Sequence, residues 1–144
     1  MPTPAHIPLT PYTPPAPAPE AAQRFLDVMR LRRSVRFFAD TPVGEETIRR
    51  CVAAAGTAPS GANKQPWRFI AISDPAIKRL IRAAAETEER EFYSRRATPE
   101  WLADLAALGT DADKPFLEAA PWLIAVFKLM KTDLNAEGRR EKVY

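Results

Sequence analysis

The chain is short of the residues that most often build a site by themselves. Among its 144 residues stand one cysteine, Cys51, and one histidine, His6. A lone thiol excludes an intramolecular disulfide, and one Cys with one His cannot assemble a zinc site of ordinary type. No neighbouring charge is placed to activate Cys51, so it reads as a packed small hydrophobe. No apolar run approaches the roughly 20 residues of a membrane span, and no charged segment followed by an apolar one opens the chain. The reading is a soluble, unprocessed, cytoplasmic protein. A long run of one charge is also missing, since 21 Lys and Arg are interleaved with 18 Asp and Glu for a net charge of +3. The arginines are not repeatedly interleaved with aromatics as in a strand-tracking groove, which argues against a nucleic-acid partner. There is no internal repeat and no domain linker.

Proline, by contrast, is abundant: 15 in all, with eight in the first 20 positions. Residues 1–19 therefore read as an extended arm whose one sticky patch is His6-Ile7-Pro8-Leu9, and residues 20–144 as the domain. Periodicity predicts a helix over 20–31 with Phe25, Val28, Met29 and Leu31 on one face. A second helix is expected over 45–55, with Ile48, Val52 and Ala55 buried and Gly56 as its stop. A strand is expected over 68–73, suited to a covered sheet. Asp74-Pro75 opens a long helix by cap-and-proline chemistry, with Ile77, Leu80, Ile81 and Ala84 inward. That stripe fades where the acids begin at Glu86. Thr98-Pro99-Glu100 starts another helix, with Trp101, Leu102, Leu105 and Leu108 as its apolar stripe and Gly109 as its end. Pro121 introduces a strand over 122–127, and residues 128–144 are charged without an apolar period. Two strands are too few for a stable sheet, so the fold reads as incomplete.

Two stretches carry chemistry. Arg32-Arg33-Ser34-Val35-Arg36 sets three guanidinium groups and a hydroxyl within five residues, a ready clamp for a phosphate. The same residues also suit a solvated helix end that complements the macrodipole. The second stretch, residues 57–67, is a loop of small residues between helix and strand. Its glycine and prolines expose backbone N–H groups to a flat ligand, while Ser60 and Gln65 add polar contacts. A loop of this length in a compact domain tends to be functional. Glu89 and Tyr93, four apart, project from one helix face.

Arg-Arg-Ser-Val-Arg at 32–36, Thr-Ala-Pro-Ser-Gly-Ala at 57–62 with Pro66-Trp67 after it, and Ala120-Pro121 together resemble the nitroreductase flavoprotein superfamily. Within it they are most similar to the iodotyrosine deiodinase group of bacterial type. The resemblance runs from His6-Ile7-Pro8 to Tyr144. It implies an α+β fold, an FMN-binding α/β/α sandwich, homodimeric and incomplete here at its C-terminus, with a lid at about 86–115. It implies FMN held at its phosphate and ribityl chain by Arg32, Arg33, Ser34, Val35 and Arg36, with Ser60 and Gly61 along the isoalloxazine. A halotyrosine would be gripped by Glu89 at its ammonium, Lys114 at its carboxylate and Tyr93 by a hydrogen bond, with the Ala62 N–H offered to its phenolate.

The activity implied is reductive dehalogenation of halogenated tyrosines, with NAD(P)H or a reductase as electron donor and no catalytic side chain separate from the flavin. Two alternatives stand beside it. One is a broad NAD(P)H nitroreductase acting on nitroarenes. The other is a non-catalytic fragment or interaction module whose apolar surfaces a partner chain satisfies.

Overall fold

The computed structural model describes residues 10–131, 138–140 and 142. The expected patch at residues 6–9 and most of the charged stretch after Lys131 lie outside the described residues. The chain separates into two units, Met1–Val35 and Arg36–Tyr144.

The first unit holds helix α1, Ala18–Leu31, which starts two residues earlier than periodicity predicts because Pro17 and Pro19 fit a helix start. Glu20 pairs with Arg24, and Gln23 donates to Asp27 at 2.8 Å, one turn on in each case. No residue of α1 is buried, and its apolar residues Phe25, Val28, Met29 and Leu31 are exposed.

In the second unit, strands β1 (Trp67–Ile72) and β2 (Leu123–Lys128) pair antiparallel, Trp67 opposite Lys128 and Ile72 opposite Leu123. Each lies one residue from its predicted span, within the ordinary scatter of element ends. The expectation of a covered sheet is corrected. Apolar side chains stand on both faces, and no residue of either strand is buried; Val126 is 62% exposed.

Helix α2, Glu45–Gly56, precedes β1. Ile48 and Val52 are half-buried but Ala55 is exposed, and so is Cys51, which is therefore not the packed hydrophobe expected. Fifty residues separate the strands and hold helix α3 (Pro75–Glu91), a π-helical segment (Phe92–Arg96), helix α4 (Pro99–Ala107) and a one-turn helix α5 (Phe116–Ala119). Asp74 caps α3 as expected, its carboxylate accepting from the N–H of Ala76 at 2.7 Å and Ile77 at 3.1 Å. Thr98 caps α4 in the same way through the Trp101 N–H, and Gly109 ends that segment at φ +65°. Along α4, Leu102 and Leu105 are half-buried while Trp101 and Leu108 are exposed.

The inward face of α3 differs most from expectation. Ile77, Leu80 and Ala84 are exposed, whereas Lys78, Ile81, Arg82, Ala85, Glu86 and Glu89 are covered. The stripe does not fade at the acids; it runs through them into Phe92 and Tyr93, and it is largely charged. The reason lies in α5. Lys78 Nζ donates to the carbonyls of Glu118 at 2.9 Å and Ala120 at 2.8 Å, and Arg82 reaches the Glu118 carboxylate at 3.3 Å. Those bonds turn the polar face of α3 toward its neighbour. Further on, the Trp122 indole donates to the Val43 carbonyl at 2.8 Å, and the Phe38 and Phe116 rings lie 6.5 Å apart. Both contacts hold residues 36–43 beside α5 and the start of β2.

Candidate active site

The inner face of α3 carries Glu86 and Glu89 three apart, and Tyr93 follows four residues on, in the π-helical segment that continues the helix. Against it lies the loop that returns from α4 to α5. Glu86 Oε1 accepts the main-chain N–H of Lys114 at 2.9 Å, Glu89 Oε2 lies 3.1 Å from Lys114 Nζ, and Tyr93 donates its hydroxyl to Thr110 Oγ1 at 3.1 Å. Lys114 Nζ also donates to the Asp111 carbonyl. Two levels of α3 and one of the π-helical segment that continues it thus hold one loop.

Between them opens a cleft of about 400 Å³ lined by Arg36, Glu89, Phe92, Tyr93, Trp101, Leu105, Thr110, Lys114 and Phe116. Its aromatic wall is ordered edge to face: Phe92 lies 4.8 Å from Trp101 and 5.5 Å from Tyr93, both at 82°. The π-helical segment begins at Phe92, and the Ala97 N–H reaches its carbonyl five residues back at 2.9 Å. Such segments recur at functional sites because they re-aim side chains within a helix. The chemistry on offer is one carboxylate, one ammonium, one guanidinium and two hydroxyls around an apolar, aromatic floor.

Of the residues singled out in the sequence, Glu89, Tyr93, Lys114 and Arg36 therefore line one cleft. Ser60, Gly61 and Ala62 belong to the same unit but not to that lining. Their loop is over-determined: Ser60 Oγ accepts the Gln65 N–H at 2.8 Å, and the N–H groups of Asn63 and Lys64 donate to the carbonyls of Ser60 and Gly61. Neither main-chain bond uses the Ala62 N–H. Ala62, Asn63 and Gln65 all hold positive φ, at 48°, 52° and 47°, a local strain of the kind that ligand-bearing loops carry. Gly61, which sequence reasoning marks as the permissive position, is not among them.

Arg32, Arg33, Ser34 and Val35 belong to the first unit. There Arg33 Nη1 donates to the carbonyls of Arg30 at 2.6 Å and Arg32 at 2.8 Å, closing the end of α1.

Sequence reasoning missed Glu86, Thr110, Phe92 and Phe116 as parts of this site. For Glu86 a signal was present, since it stands three residues before Glu89 on the same helical face. For Thr110 and Phe116 there was none, because a loop's return path leaves no period in the sequence.

The described elements make a mixed helix-and-sheet fold, and the chain belongs to the nitroreductase family, whose model matches residues 29–144. More particularly, it is similar to the iodotyrosine deiodinase of Haliscomenobacter hydrossis, with 49% identity over 120 residues covering 83% of this chain and 54% of that one. It is also similar to the iodotyrosine deiodinase of Danio rerio, with 45% identity covering 76% and 37%. A solved structure of oxidized iodotyrosine deiodinase bound to FMN and 3-iodo-L-tyrosine superposes with a TM-score of 0.66 at 34% identity, covering 72% of this chain and 55% of that one. The chain thus spans about half the length, or less, of these relatives.

Proposed function

We propose that this chain carries the substrate clamp of an FMN-dependent oxidoreductase that reductively dehalogenates halogenated tyrosines. The observation that carries this reading is the Glu89–Lys114 pair at 3.1 Å over an aromatic cleft, with the Tyr93 hydroxyl on the same helix face. An amino acid's ammonium and carboxylate can replace that pair charge for charge, and its ring then falls toward the aromatic wall. The pairing keeps the two charges compensated until a zwitterion exchanges with it. Of the two charges Lys114 is the better covered, at 14% side-chain exposure against 37% for Glu89.

The residues present fit FMN. Arg36 stands in the cleft wall, and Ser60, Gly61 and Ala62 set only small side chains beside the main chain where the strained turn begins. Arg32, Arg33, Ser34, Val35 and Arg36 would hold the phosphate and ribityl chain, Ser60 and Gly61 the ring edge, and the Ala62 N–H the substrate phenolate. Bound FMN would supply the electrons for carbon–halogen cleavage. The protein's part is to orient the ring and to exclude water by closing the lid at about 86–115 over it. The similarity to an iodotyrosine deiodinase bound to FMN supports the assignment. The reading includes a homodimer, NAD(P)H or a reductase as donor, and a cytoplasmic location. Among the described residues no helix is long and apolar enough to cross a membrane.

The test is Glu89→Gln. Loss of one charged partner is expected to raise the Kd for 3-iodotyrosine, read by quenching of flavin fluorescence, about tenfold or more. Nitroarene reduction should stay within about twofold of wild type. Equal losses in both would overturn the substrate assignment and favour a broad nitroreductase.

A further inference from the structure

We propose that Glu86 is a positioning residue for the substrate clamp: its carboxylate, steadied by Arg82, takes the Lys114 main-chain N–H and so sets where the Lys114 ammonium stands opposite Glu89. Its bearing on halotyrosine rests on the reading above; the latch itself does not.

The acids of α3 divide into two groups. Glu88 and Glu91 are exposed and pair with Arg96 and Arg95, local contacts on a solvated face. Glu86 is different. Its side chain is 14% exposed, its Oε1 accepts from Arg82 Nε at 2.5 Å and from the Lys114 N–H at 2.9 Å, and its Oε2 lies 3.9 Å from Arg90 Nη1. Arg82 in turn reaches Glu118 on α5, so the carboxylate is braced from two elements.

The Glu86–Lys114 bond closes 28 residues of chain, which include the π-helical segment, α4 and the loop after it. It takes the last N–H before Pro115, which has none to give. Lys114 is also restricted by the proline that follows it, so fixing its N–H leaves the side chain little choice of origin. From there its ammonium meets Glu89, one turn above Glu86. A neutral amide can still accept that N–H, whereas an alanine cannot, and an aspartate falls one methylene short.

The experiment uses the full chain, with hydrogen exchange at the Lys114 amide and titration with 3-iodotyrosine read side by side. Glu86→Ala should speed Lys114 exchange and weaken 3-iodotyrosine about tenfold each, while Glu86→Gln stays within about threefold of wild type on both. Wild-type exchange at Lys114 in Glu86→Ala would overturn the proposal, as would equal effects of Ala and Gln, which would mean a general loss of charge or packing. Should Glu86→Ala not fold, Glu86→Asp replaces it: Asp should lose protection where Gln keeps it, and the reverse order overturns the latch. Loss of Lys114 protection in a chain whose wild type does not bind 3-iodotyrosine would support the latch and overturn the halotyrosine reading.

Discussion

Lys78 is the most covered charged side chain among the described residues, at 7% exposure, and its three donors explain why it sits there. Two of them satisfy the carbonyls of Glu118 and Ala120, which α5 is too short to satisfy itself. Lys78→Met should therefore cost about 2 kcal/mol in urea denaturation, because it leaves covered carbonyls without partners. An unchanged midpoint would mean that water replaces the ammonium freely. Residues whose role is local were legible in the sequence: the cap at Asp74 depends only on the next three positions. Lys78 was not legible, since its partners lie 40 and 42 residues away.

At the scale of the element, α3 shows how a helix can present two unlike faces. The apolar residues Ile77 and Leu80 predicted the inward side, yet the covered side is the charged one that ends in Glu86 and Glu89 and leads on to Tyr93. Periodicity finds the apolar stripe of a helix, and the stripe alone does not say which neighbour the helix meets. This charged face makes acid stability testable. The bond from Arg82, then the Lys114 N–H, hold the Glu86 carboxyl below the usual carboxylate range. The folded state therefore releases this proton more readily than the unfolded chain. Its contribution is fully present above the ordinary carboxylate pKa and is lost as pH falls through the depressed folded value. Thermal melts of wild type should show that acid limb, and Glu86→Gln should flatten it; the same slope in both would assign the acid limb to other carboxyls.

Across the whole molecule, the described residues leave much apolar surface open. Val126 and Phe127 of β2 and Ile70 of β1 are exposed, and Ala120 is the only apolar residue among those described that is buried. A surface of this kind binds anilinonaphthalene dyes and drives association. The purified chain should enhance dye fluorescence strongly, and Val126→Lys with Phe127→Lys should lower it by about half or more. An undiminished signal would place the dye elsewhere.

What the sequence determined by itself was short-range and chemical: the helix starts at proline and aspartate, the two strands within one residue, and the arginine and small-residue motifs that marked the nitroreductase family. Glu89, Tyr93 and Lys114 could be named because motif spacing carried over onto them. The tertiary structure decided which face of α3 is covered, that Glu86 and Thr110 join those residues, and that neither face of the sheet is fully buried among the described residues. Each of these depends on contacts between positions far apart in the chain. Hydrophobic period and capping chemistry reach only a few residues, so such contacts leave no local trace.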